Sequence, residues 1–148
     1  MHLTLHADYS LRVLLYLASR PGRVTSTQEM ADAYGISKHH LVRVVQTLAG
    51  EGLVDARAGR SGGVTLACAP KDINVGKVVR SAEPDFHVVE CFERERNTCP
   101  IAPACGVKGV LAEARDAFLA VLDRYTLADL VDRSRPGLAD LFLSARAS

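Results

Sequence analysis

Apolar residues open the chain at spacings of three and four. Leu3, Ala7, Leu11, Leu14, Leu15 and Ala18 fall on one side if residues 3–18 coil as a helix, and Pro21-Gly22 ends it. Ser26, followed three residues later by Glu29, is a capping-box pattern that predicts a short helix through about Ala33. Tyr34-Gly35-Ile36 reads as a tight turn. Ser37 is a suitable N-cap for a third helix that runs to about Ala49 and stops at Gly50 or Gly52. Two short helices joined by a glycine-containing turn make the helix-turn-helix pattern.

Beyond it the period drops to two. Residues Gly52 to Ala56 predict one strand, and Val64, Leu66 and Cys68, alternating with Thr65 and Ala67, predict a second. The glycine-rich stretch between them carries Arg57 and Arg60 and reads as a wing, the tip of a β-hairpin. Asn74 to Ala82 predicts another short helix, ended by Pro84, and residues 91–105 read as loop. Apolar positions from Val107 to Tyr125 then form a stripe along a long helix. Thr126 is placed to cap a further turn, Leu127 to Val131, before Pro136-Gly137 and a last apolar stretch, Leu138 to Leu143. The expected fold is mainly α with a small β-hairpin: a winged helix-turn-helix domain over 1–82, a cysteine loop over 83–106, and a dimerisation helix with a tail over 107–148.

On the third helix, Leu41, Val44, Val45 and Leu48 share a face suited to docking, while His39, Arg43 and Gln46 point the other way. Arg43 suits guanine and Gln46 adenine by bidentate geometry. Ser37, Lys38 and His40 are better placed for phosphate, and Arg57 and Arg60 for a minor groove. On an isolated helix such polar residues are merely a solvated face. The turn before this one and the arginine-bearing wing after it favour double-stranded DNA. The formal net charge is only +1, so any affinity for DNA comes from local clustering.

The stripe of the long helix exceeds what an 80-residue domain needs for its own core, which favours a homodimer over intrachain cover alone. No apolar run is long enough to span a bilayer and the N-terminus lacks a signal-peptide pattern, so the chain is read as cytosolic. There thiols stay reduced, and Cys91, Cys99 and Cys105, all within one short loop, suggest metal or redox chemistry. Three thiolates are one short of the usual four ligands, and neither zinc-finger nor ferredoxin spacing is matched. His87, Cys68, a carboxylate or a small exogenous molecule are the alternatives for the fourth place. Strand alternation points Cys68 inward, as a small hydrophobe. Structural zinc held by the three cysteines and His87, in a DNA-binding or interaction module, is one reading; sensing of iron or oxidants is another. With no Cys–His pair in local context, no phosphate loop and no paired acids, an enzyme is not expected.

Three features together resemble the IscR/NsrR-type winged-helix regulators: Leu3-Thr4 ahead of Asp8-Tyr9 and Leu11-Arg12, the wing Gly59-Arg60-x-Gly62-Gly63, and the cysteine loop entering a long helix. Within that group Cys99-Pro-x-x-Pro-Ala-Cys105 and the run from Tyr125 to Val131 are most similar to the nitric-oxide-sensing NsrR branch. The resemblance implies a homodimeric repressor that carries an iron–sulfur cluster, usually 4Fe-4S with 2Fe-2S as the alternative, on Cys91, Cys99 and Cys105. It further implies an oxygen ligand from an aspartate on the first helix of the other subunit, matched here by Asp8, and operator release on exposure to nitric oxide. Lys108 stands where the IscR branch carries a ligating histidine, which argues against that branch.

Overall fold

Thr4 keeps an extended backbone and its hydroxyl accepts from the Ala7 N–H at 3.2 Å, so the first helix, α1, spans Leu5–Ala18 and not residues 3–18. The computed structural model describes residues 2–59, 62–134 and 137. Ala7, Ser10, Val13, Leu14, Tyr16, Leu17 and Ala18 of α1 are buried. Leu11 and Leu15 pack at the margin of the same core.

Ser26 caps α2, Thr27–Tyr34, by accepting from the Glu29 N–H at 3.0 Å. Gly35 ends it at φ 62°, a left-handed conformation that costs glycine nothing, and this lets the chain enter α3, Lys38–Gly50, almost at once. Leu41, Val44, Val45 and Leu48 form the buried face of α3, as the periodicity predicts. Strand β1, Val54–Arg57, pairs antiparallel with β2, Gly63–Leu66, from Val54 opposite Leu66 to Arg57 opposite Gly63. β1 begins after the predicted Gly52 because that residue sits at φ 69° in the turn leaving α3. β2 ends before the predicted Cys68 because the Ala67 N–H turns to the Leu53 carbonyl at 3.0 Å.

Helix α4, Val75–Ala82, is capped by Asn74, whose side chain accepts from the Lys77 N–H at 3.0 Å. Two short 3-10 turns, Glu90–Phe92 and Ala102–Ala104, punctuate the loop that follows, which leads into α5, Gly106–Asp123. α5 stops short of the predicted Tyr125 because Arg124 and Tyr125 close a turn onto Val121 and Leu122, freeing the Tyr125 carbonyl to accept from the Val75 N–H at 3.0 Å. Asp123 then clasps Arg80 (Nη2–Oδ2 2.7 Å) across the backbone of Gly76, where a Cβ would collide with the Asp123 carboxylate. Helix α6, Leu127–Arg133, is held by a capping box between Thr126 and Asp129 and runs slightly past the predicted turn. Its Leu127, 2% exposed, enters the same core cluster as Val13, Leu14 and Leu41. The architecture is thus the mainly α, winged helix-turn-helix fold that the sequence predicts, with a long additional helix. The stretch Leu138 to Leu143 lies outside the described residues. No helix among the described residues is long and apolar enough to cross a membrane.

Truncating Leu127 to Ala should cost about 2–4 kcal/mol, as for other buried leucines. Urea unfolding measures this; a cost no larger than that of truncating the exposed Leu5 would mean that α6 does not share the core. The Arg80 guanidinium holds the Asp123 carboxyl below its ordinary range, and the Thr126 N–H and hydroxyl do the same for Asp129. Their contribution is therefore present above the ordinary carboxylate pKa and lost as pH falls through the lowered values. Urea midpoints measured against pH should show a shallower acid-side fall for Asp129→Asn than for the unsubstituted protein.

Candidate nucleic-acid interface and thiol loop

The outer face of α3 carries the residues that the sequence predicts for DNA. Ser37, Lys38, His39, His40, Arg43 and Gln46 are all exposed, and the Thr47 hydroxyl turns back to the Arg43 carbonyl at 3.2 Å. Ser37 holds the N-cap position, but its hydroxyl makes no capping hydrogen bond. The first-turn N–H groups of α3 therefore keep their capacity to meet an anion. Arg57 is exposed at the end of β1, beside a tip closed by the Gly62 N–H on the Gly59 carbonyl at 3.1 Å. Arg60 lies outside the described residues.

α1 contributes to the same face, which the sequence reading missed. Leu5, His6 and Tyr9 line a groove of about 550 Å³ opposite His40, Arg43 and Gln46. The ring of Tyr9 lies 6.4 Å from that of His40, which is in turn 6.3 Å from His39. His6 and Tyr9 stand three apart, beside the apolar stripe and not on it, and that was the only signal available.

Asp8, on α1, is half exposed and held by Arg12 in a two-point ion pair, Nε–Oδ1 3.0 Å and Nη2–Oδ2 2.7 Å. The Arg12 guanidinium also lies 5.7 Å from the Tyr9 ring centroid and 5.9 Å from that of Tyr34, while the Tyr34 hydroxyl donates to the Arg12 carbonyl at 2.9 Å. The hydrogen bond to Asp8 raises the Arg12 pKa, and burial raises that of the Tyr34 phenol. Asp8 is thus fixed in direction, one turn past the cap of the helix that supports α3. A metal that took one of its oxygens would compete with Arg12.

Cys91, Cys99 and Cys105 are free thiols, each half buried. The Glu90 carboxylate accepts from both the N–H and the hydroxyl of Thr98, the latter at 2.8 Å, and these bonds hold the carboxyl below its ordinary range. The staple ties together the residues that precede Cys91 and Cys99. Cys105 occupies the N-cap of α5, where the positive end of an 18-residue helix favours a negatively charged ligand set. Further upstream, the Thr4 N–H and hydroxyl both donate to Glu83 Oε1, at 2.7 and 3.0 Å, and so fasten the start of this loop to the cap of α1. Cys68 packs against the core as alternation predicts. His87 lines a separate cavity of about 340 Å³ with Phe86, Arg115 and Phe118, and no cysteine is part of its described wall. Among the described residues, no three His, Cys, Asp or Glu side chains converge as a metal site within the single chain. The donor set still suits an iron–sulfur cluster: three unpaired soft thiols on one pliable loop, with further ligands to come from elsewhere.

Residues 3–133 match the model of the Rrf2 family, described as iron-dependent transcriptional regulators. The chain is 52% identical over 132 residues to the HTH-type transcriptional regulator NsrR of Bacillus subtilis (strain 168), covering 88% of this chain and 90% of that protein. It is 50% identical over 132 residues to NsrR of Shouchella clausii (strain KSM-K16), covering 88% and 89%. Among solved structures it is similar to CymR, the global cysteine regulator of B. subtilis, with a TM-score of 0.72 at 29% identity, covering 90% of this chain and 98% of that one. It is similar also to T. potens IscR, with a TM-score of 0.72 at 25% identity, covering 93% and 91%.

Replacing Thr98 by Ala removes the hydroxyl half of the Glu90 staple. Trypsin cleavage after Arg94 or Arg96 in the metal-free protein should become several-fold faster, with cleavage elsewhere unchanged. Equal rates would mean that the staple does not order the loop.

Proposed function

The chain belongs to the Rrf2 family of transcriptional regulators, and from that premise we propose that it is an NsrR-type repressor: a homodimer that releases operator DNA when nitric oxide attacks an iron–sulfur cluster held between its subunits. One observation carries the proposal. Asp8 lies on α1, and α1 packs directly on α3, the helix whose free face presents His39, Arg43 and Gln46. Whatever engages Asp8 therefore acts on the support of the recognition helix.

In this reading residues 1–82 bind DNA, 83–106 hold the cluster and 107–148 dimerise. Arg43 and Gln46 face base edges, Ser37, Lys38, His39 and His40 meet the sugar–phosphate backbone or adjacent bases, and Arg57 and Arg60 reach into a minor groove. Cys91, Cys99 and Cys105 would hold a cluster, most simply 4Fe-4S, through their thiolates, with Asp8 of the partner subunit as the oxygen ligand. Bound there, the cluster supplies an iron whose carboxylate is a weaker ligand than the thiolates, leaving that position open to a diatomic molecule. An Asp8 not engaged by the cluster would pair with Arg12, as it does in the single chain, and α1 would then be free of the other subunit. The change would pass to α3 through the core that α1 and α3 share, of which Leu14, Leu17 and Leu41 are part. Two recognition helices must span half-sites one helical turn apart, so a change in their spacing loosens the grip. The dimer is supported by α5, which has no buried residue in the single chain and leaves Val107 and Val110 64% and 66% exposed.

Anaerobic absorption spectroscopy alongside operator titration tests the whole reading. The loaded protein should be brown, bind a palindromic operator and release it on addition of nitric oxide. Asp8→Ala should lose tight binding, and Arg43→Ala should cost about 1–3 kcal/mol at its own base position. Equal operator affinity with and without the cluster would overturn the sensor, and a colourless protein with stoichiometric zinc would replace it with a structural metal.

A further inference from the structure

We propose that the groove between α1 and the recognition helix is a backbone-phosphate subsite, so that His6 and Tyr9 of α1 join His40 and Arg43 in holding the operator. The inference rests on the operator-binding reading and extends its footprint to a helix that the motif analysis left out of the interface.

Three observations carry it. The groove is about 550 Å³, open, and lined by His6, Tyr9, His40, Arg43 and Gln46, with no carboxylate among its described lining residues. Imidazole N–H, phenol O–H and guanidinium N–H groups are the donors that phosphate oxygens accept from. The nearest carboxylate on α1, Asp8, does not line the groove and is engaged by Arg12. Arg43 and Gln46 belong both to the groove and to the exposed face of α3, so a strand read by that face would pass the mouth of the groove. The uncapped N-terminus of α3 adds orphan N–H groups at its edge. A chain with a net charge of +1 has little long-range field to attract DNA, so a local cluster of donors free of opposing charge is where affinity has to arise. In helix-turn-helix proteins the first helix of the motif crosses the backbone, and here a helix outside the motif offers a second crossing.

The experiment uses the cluster-loaded, full-length protein and fluorescence anisotropy from about 50 to 200 mM salt, on the operator and on a scrambled duplex. His6→Ala and Tyr9→Phe should each weaken both duplexes by the same factor, several-fold, and leave the ratio between them unchanged. His6→Arg should restore affinity and steepen the salt dependence by about one phosphate, a slope near 0.9. Losing affinity for the operator alone would make the groove a base-reading element and overturn the proposal, as would unchanged affinity for both duplexes. Displacement of the duplex by inorganic phosphate at matched ionic strength, to the same degree in the unsubstituted protein and in His6→Ala, would place the contact elsewhere. If the unsubstituted protein ignores both duplexes, the operator-binding reading falls, and the subsite falls with it.

Discussion

Burial of α1 is the constraint that orders the rest of the molecule. Val13, Leu14, Tyr16 and Leu17 are each almost wholly withdrawn from water, among residues of α2, α3, β1, β2 and α6. Each such side chain contributes roughly 1.5–3 kcal/mol, so displacing this helix would forfeit much of the margin that keeps a small domain folded. The Tyr16 hydroxyl reaches Glu29 on α2 at 3.1 Å, and Arg23 closes on the same carboxylate at 2.9 Å, so the polar rim of α1 is tied down as well. Because α1 cannot be displaced cheaply, its surface groups stand in fixed places: Thr4 against Glu83, Asp8 against Arg12, Tyr9 beside His40. The loop with the thiols and the exposed face of α3 are therefore referenced to one rigid rod.

A second anchor lies where α4 begins and α5 ends. Asn74 both caps α4 and donates from Nδ2 to the Asp123 carbonyl at 2.8 Å, while the Leu127 N–H meets the Ile73 carbonyl at 2.8 Å. Together with the clasp between Arg80 and Asp123, these bonds fix where α5 ends. The segment from Glu83 to Cys105 is held at its start by Thr4 and spanned within by the Glu90 staple, and it contains only brief 3-10 turns. A stretch so sparsely tied can draw its thiols together around a guest at small cost to the fold around it.

Much of this was legible in the sequence, and the reasons differ from place to place. The amphipathic spacing of Leu41, Val44, Val45 and Leu48 and the turn at Gly35 are local signals, and both held within a residue or two. Strand ends moved because Gly52 belongs to the turn that leaves α3, while Ala67 answers to a hydrogen bond from across the hairpin, which a linear pattern does not contain. Cys68 lies past the end of β2, yet it packs against the core on the side the alternation predicts. The role of α6 was less visible: capping by Thr126 could be read, but the burial of Leu127 depends on a partner more than a hundred residues earlier. Asp8 and Arg12 stand four apart on one helix, a spacing that announces an ion pair, and Tyr9 stands three before Arg12, yet nothing local in the chain says that the ring of Tyr34 lies close by.

The bare face of α5 has a thermodynamic corollary. An 18-residue helix with no buried side chain forgoes the packing that normally offsets the entropy of ordering it. Whatever shields that face acts as a ligand for the folded form, and its stabilisation grows with the logarithm of its free concentration. If the shield is another copy of the chain, dilution loosens α5 before it disturbs the core around α1. Melting curves then depend on how much protein is in the tube, and the abundance of the chain sets how much of that helix is ordered.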